Sequence, residues 1–160
     1  MRVIRLLLAA LAAVLFTAPQ AAAAESRPFT SDFTVQATFA PTPVPGVFAV
    51  TTSGSGHASH LGKVTVSSTE TLDFVTSPGS VVLHDGLLVM TAANGDQLYW
   101  SYEGTGSPPD ESGESALAGT FVITGGTGRF ADATGGGTLH GTGNAVTGMA
   151  SLSYHGSISY

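Results

Sequence analysis

The stretch Ile123-Thr124-Gly125-Gly126-Thr127-Gly128-Arg129-Phe130-Ala131-Asp132-Ala133-Thr134-Gly135 decides the fold. It is a glycine-dense turn set between two β-like runs, and it holds one arginine and one phenylalanine. A phosphate cradle would need a Gly-Lys-Ser/Thr ending and a following helix that supplies an N-terminal dipole, and the stretch has neither. The glycines read instead as positions of positive φ and close packing at the corner of a sheet. Arg129 reads as the group that pairs with Asp132 or caps carbonyls there.

Outward from that corner the chain alternates apolar and polar residues with a period of two, the mark of half-buried strands. Upstream lie Leu117, Phe121 and Ile123. Downstream, Gly135 to Leu139 leaves the turn and Gly143-Asn144 makes another. The last run places Val146, Gly148, Ala150, Leu152, Tyr154, Gly156, Ile158 and Tyr160 on one face. Near the start, Phe33, Val35, Ala37 and Phe39 alternate with Thr34, Gln36 and Thr38. A proline-rich break, Ala40 to Gly46, ends that run, because proline cannot sit in a central strand. Val47 to Thr52 is short, with a bend at Gly54 and Gly56. A long run from about His57 to Phe74 carries Ala58, His60, Val64, Val66, Ser68, Glu70, Leu72 and Phe74 on one parity. Asp85-Gly86 and Asn94-Gly95 are two-residue hairpin signals. Beyond the second, Leu98, Trp100 and Tyr102 share a face. Gly104 to Ser115 is polar, acidic and proline-bearing, and reads as an exposed mobile loop.

These runs predict an all-β fold of about eight strands joined by local hairpins. About eight antiparallel strands close into a small barrel, and closure removes the exposed edges. A β-sandwich is the alternative, disfavoured by the two long alternating runs.

Composition bounds the function. The 160-residue chain opens with Met1-Arg2, Arg5 and a 13-residue apolar run, Leu6 to Ala18, and reaches Ala22-x-Ala24. These are the parts of a secretory signal peptide over 1–24, too short for a spanning helix. Residues 25–160 form a single domain. That domain keeps Arg27, Lys63 and Arg129 against 11 acids, a net charge of −8. Nucleic acid and anionic membrane both select for basic residues, so neither is expected as a partner of the mature chain. There is no cysteine, so disulfides are excluded.

The segment Thr124 to Gly135 resembles the allene oxide cyclase and dirigent superfamily. Its members carry a Gly-Gly-Thr-Gly turn, then a basic or polar residue and an aromatic one, here Gly125-Gly126-Thr127-Gly128-Arg129-Phe130, with Gly135 closing the motif. Gly95-Asp96-Gln97-Leu98 to Gly104 resembles the preceding strand of secreted bacterial members, and His60-Leu61-Gly62-Lys63 resembles a bend in them. The resemblance implies an eight-stranded antiparallel barrel of the calycin type, often trimeric, with a central hydrophobic cavity. Plant members cyclise an unsaturated fatty-acid epoxide or steer phenoxy-radical coupling. The cyclases use an interior glutamate in the early strands. Here the first strand offers only Gln36, which points outward by parity, and the dirigent aspartates and arginines have no match.

Glu70 is the candidate acid/base group. On an unbulged strand it points inward, and an apolar cavity would raise its pKa. The adjacent Ser67-Ser68 favours the opposite reading, a bulge that turns Glu70 to solvent. His60, Trp100 and Tyr154 join Glu70 as candidate ligand-binding residues. His57-x-x-His60 has the wrong spacing for one metal ion on a strand, and no metal or cofactor is expected. His84, His140 and His155 fall at strand ends or outer faces. No Gly-x-Ser-x-Gly elbow precedes a helix, so hydrolase chemistry has no support. The expected function is a secreted barrel that binds a small hydrophobic ligand or serves as a non-catalytic extracellular module. The alternatives are a cyclase or isomerase of a small lipid epoxide, and a protein-interaction module using the acidic loop.

Overall fold

The computed structural model describes residues 25–160. The expected leader at 1–24 lies outside the described residues. Eight strands follow one another: β1 (Arg27–Pro41), β2 (Val47–Ala58), β3 (Gly62–Asp73), β4 (Val81–Ala92), β5 (Gln97–Gly106), β6 (Glu114–Gly126), β7 (Thr134–Asn144) and β8 (Met149–Ser159). Each pairs antiparallel with its neighbours in sequence, and β1 pairs with β8, so the sheet closes into a barrel. Closure gives every strand two partners and leaves no edge to template aggregation.

The period-two pattern is the reason for the inside and the outside. Phe29, Phe33 and Val35 of β1, Val64 and Val66 of β3, Leu98, Trp100 and Tyr102 of β5, and Tyr154 and Ile158 of β8 are buried. The residues between them face solvent. Phe29, Trp100, Phe121 and Tyr154 meet at the centre, with ring centroids 5.2–5.9 Å apart. Strand β7 presents Gly135, Gly137, Gly141 and Gly143 on its inner face around a single buried Leu139. A Cβ on Gly137 would lie 2.0 Å from the His155 carbonyl oxygen. The close approach of β7 to β8 therefore demands glycine at that point.

The two ends of the barrel differ. One end gathers the β2–β3, β4–β5 and β6–β7 turns with the beginning of β1 and the end of β8. Its plug is Phe130, fully buried in a single 3-10 turn, Gly128–Phe130, and packed on Tyr160 at 4.8 Å. The sequence motif builds this plug. Thr127 Oγ1 accepts the Gln97 backbone N–H at 2.8 Å, and Gly128 has φ +57° with no room for a Cβ beside the Asp96 carboxylate. Arg129 caps the His60 carbonyl and lies over the Phe130 ring at 4.8 Å. The other end holds the β1–β2, β3–β4, β5–β6 and β7–β8 turns.

Four sequence expectations change. Val47 to Thr52 is not a short strand ending at a bend: β2 continues through Gly54 and Gly56 to Ala58 in unbroken register. The run His57 to Phe74 is not one strand: Ser59 to Leu61 turns tightly between β2 and β3, with His60 at φ +67°. Asp85-Gly86 is not a hairpin. It is a bulge inside continuous β4, where the register against β3 shifts between Thr69 and Thr71 and Asp85 takes φ +56°. The segment Gly104 to Ser115 is a loop only over 107–113, since β5 runs to Gly106 and β6 begins at Glu114. Asp110 Oδ1 ties that loop by accepting the N–H groups of Ser112 and Glu114, each at 2.9 Å. Asn94-Gly95 does form its hairpin, with Gly95 at φ +89°.

Candidate functional site

The plug closes one end and leaves a cavity in the other half of the barrel. Its volume is about 80 Å³, against the roughly 10–15 Å³ that one water needs. Phe39, Phe74 and Met149 line it and are 36%, 37% and 47% exposed, so it reaches the surface between them. Deeper walls come from Val50, Leu72, Leu83, Leu88 and Leu152, and Phe33 and Tyr154 form the floor. The lining is apolar because it consists of the inward parity of every strand.

Glu70 lies in this wall. Strands β2 and β3 pair without interruption from Val47↔Asp73 to Ala58↔Gly62, so no bulge occurs at Ser67-Ser68. The irregularity falls on the facing strand, at Asp85, and β3 keeps its parity. The reading that turned Glu70 to solvent is therefore corrected. Tyr102 of β5 reaches over Gly86 of β4 and donates its hydroxyl to Glu70 Oε2. Burial raises the Glu70 pKa above the ordinary glutamate value, and the Tyr102 hydrogen bond partly opposes that rise. Burial also raises the Tyr102 phenol, and the neighbouring Glu70 charge adds to the effect. The pair holds one proton donor and one acidic carboxyl inside an apolar wall.

Other polar groups stand nearby. Thr52 and Ser68, both in the lining, share a 2.7 Å hydrogen bond. Tyr154 is fully buried, and its hydroxyl has no protein partner. Burial raises this phenol too, with a contribution from Glu70, and the neighbouring Trp100 indole N–H partly opposes the rise without reaching hydrogen-bond geometry. Such a group favours a ligand atom that can accept or donate a hydrogen bond.

Of the four ligand-binding candidates, Glu70 and Tyr154 come together in the cavity. Trp100 packs below it, 5.2 Å from the Tyr154 ring, without lining it. His60 is a correction: it occupies the β2–β3 turn at the plugged end. Its Nε2 lies 2.9 Å from the Pro28 carbonyl oxygen and its ring meets Tyr160. Parity placed it with Glu70 only because the tight turn was read as strand. Tyr102 was missed as a site residue. Its signal was present, since it shares the inward face with Leu98 and Trp100, but its partner is 32 residues away. Gln36 points outward as expected and donates to the Thr147 carbonyl at 2.9 Å. Gly125, Gly126, Thr127, Gly128, Arg129, Phe130 and Gly135 all belong to the plugged end and take no part in the cavity.

Compared with known proteins, the chain matches no family model and no curated protein.

Proposed function

We propose that this chain is a secreted barrel of the allene oxide cyclase-like kind that binds a small hydrophobic molecule in its cavity. The observation that carries the reading is the apolar cavity open at one end of a barrel plugged at the other. An apolar concave site with a few convergent polar groups is the usual form of a small-molecule site. The polar groups here are Glu70, Tyr102 and Tyr154. The protein purified from its native host should carry ligand into an organic extract, identifiable by mass spectrometry. A panel of small lipids should raise its melting temperature by mass action. Empty extracts together with no thermal shift across the panel would end this reading.

Glu70 favours a second reading, a cyclase or isomerase. A carboxyl of raised pKa beside a phenol is equipped to give and take a proton at a bound epoxide or enone. That reading predicts turnover lost in Glu70→Gln, followed by product chromatography. Turnover unchanged by the substitution would remove Glu70 as the acid/base group.

A further inference from the structure

We propose that the cavity selects amphiphiles with a protonated primary amine, the ammonium meeting Glu70 and the apolar tail lying along the rim. The inference rests on the ligand-binding reading above and names the chemistry of the occupant. Three independent observations carry it. Among the described residues that line the cavity, Glu70 alone bears a formal charge; no Lys, Arg or His lines it. Its one hydrogen bond within the protein comes from the neutral Tyr102, so its other carboxylate oxygen is free to accept from a ligand. A carboxylate in an apolar wall with no cation beside it is disfavoured, and a bound ammonium supplies one.

The second observation is the distribution of charge along the barrel. All three basic residues of 25–160 are at the plugged end: Arg27 begins β1, Lys63 is the second residue of β3, and Arg129 is in the β6–β7 turn. The open end carries Asp73, Asp110, Glu111 and Glu114, with no Lys or Arg among the described residues. A cleft mouth of one sign concentrates ligands of the other. The third is the rim. Phe39, Phe74, Met149, Val75 and Val146 are 36–79% exposed around the opening, an apolar collar suited to an alkyl tail. The volume of about 80 Å³ admits a slim –NH₃⁺ head better than a bulky quaternary one. The buried Tyr154 hydroxyl, unpartnered in the protein, can accept one of its protons.

The test titrates decylammonium and decanoate, each below its micelle concentration, and decanol below its solubility limit, into the full mature chain at pH 6.5. Calorimetry gives Kd, and fluorescence of Trp100, the only tryptophan, reports occupation above the cavity floor. The amine should bind about tenfold or more tighter than the alcohol, with decanoate weakest. Glu70→Gln should bring the amine and alcohol together. Alcohol or carboxylate binding as tightly as amine would overturn the inference while leaving a lipid-binding barrel. An amine preference that survives Glu70→Gln would also overturn it, locating the amine on the acidic exterior. Binding of none of the three would defeat the ligand-binding reading and the inference with it. If the variant does not fold, the wild type still decides. Tyr102 and Tyr154 are the other titratable groups facing Glu70, and both stay neutral below pH 7, so amine binding near pH 5 should release a proton from Glu70. Calorimetry in buffers of different ionisation enthalpy measures it, and no release between pH 4 and 7 would overturn the proposal.

Discussion

At the scale of single residues, Glu70 and Asp73 sit three positions apart on one strand and respond to pH with opposite signs. Burial raises the Glu70 pKa in the folded state. Its stabilising contribution is therefore complete below the unfolded glutamate pKa and is lost as pH rises through the folded value. Asp73 is held below the ordinary aspartate range by the Thr76 hydroxyl first, then by the backbone N–H groups of Thr76 and Val75. Its contribution is present above the unfolded pKa and is lost as pH falls through the folded one. Glu70→Gln should thus gain stability relative to wild type as pH rises from 4 to 8, whereas Asp73→Asn should lose it as pH rises through the acid range below about pH 5 and then hold level. Urea unfolding across the two pH ranges measures both differences. A Glu70→Gln difference that stays constant with pH would mean that the carboxyl is as well solvated folded as unfolded. Phe130 makes a second residue-scale test. It is fully buried as the plug, so Phe130→Ala should cost about 3–5 kcal/mol in urea unfolding. A cost under about 1 kcal/mol would show that the turn does not seal that end.

Among the elements, β4 carries the bulge that sets the shape of the site. Its bulge at Asp85-Gly86 absorbs one extra residue, so β3 beside it stays regular and Glu70 stays inside. Gly86 lies under Tyr102: a Cβ there would fall 2.7 Å from Cδ2 and Cε2 of that ring. Gly86→Ala should therefore displace Tyr102 from Glu70, cost about 1–3 kcal/mol by overpacking, and raise the Glu70 pKa further. Asp85→Gly relaxes a left-handed residue on the exposed side and should change stability by less than about 1 kcal/mol. Paired urea melts of the two variants compare them, and equal effects would sink the account. The bulge also shows what local sequence can and cannot say. Asn94-Gly95 and Asp85-Gly86 have the same turn chemistry, and only the first makes a hairpin. The difference lies in whether the flanking residues pair with each other or with β3 and β5, which is a non-local fact. The β2–β3 turn was hidden for a related reason. Ala58 and Val64 both face inward, so the alternation runs through Ser59 to Leu61 without a break in phase. Strand parity, by contrast, was legible within each unbulged run, because a half-buried strand must show it, and it switches where β4 bulges, from Leu83 to Leu88. Its legibility extended to Tyr102 on an inward face, but the Tyr102–Glu70 pair depends on the register of β3 and β5 against β4, where the Tyr102 ring lies over Gly86.

For the whole molecule, closure and charge act together. The β1–β8 pairing makes the wall continuous, so the mouth is the remaining route to Glu70 once Phe130 seals the far end. Along that axis the charge is polarised, with the three cations at the plug and Asp73, Asp110, Glu111 and Glu114 at the mouth. Asp110 and Glu111 sit in the β5–β6 loop, whose Pro109 lines the cavity. Hydrogen bonds to Ser112 and to the Glu114 backbone hold the Asp110 carboxyl below its ordinary pKa, so it stays charged into mild acid. A field of this kind changes the encounter rate more than the residence time of a bound ligand. It also decays over about 10 Å at 0.1 M salt and about 3 Å at 1 M. The association rate of decylammonium should therefore fall severalfold between 20 mM and 500 mM salt, while that of decanol stays level. Stopped-flow Trp100 fluorescence reads both. Charge reversal at the loop, Asp110→Lys with Glu111→Lys, should slow the amine at low salt and leave its dissociation rate within about twofold. An amine association rate indifferent to salt and to that reversal would mean that the mouth does not steer. Any preference for the ammonium would then arise at Glu70 alone, inside the wall.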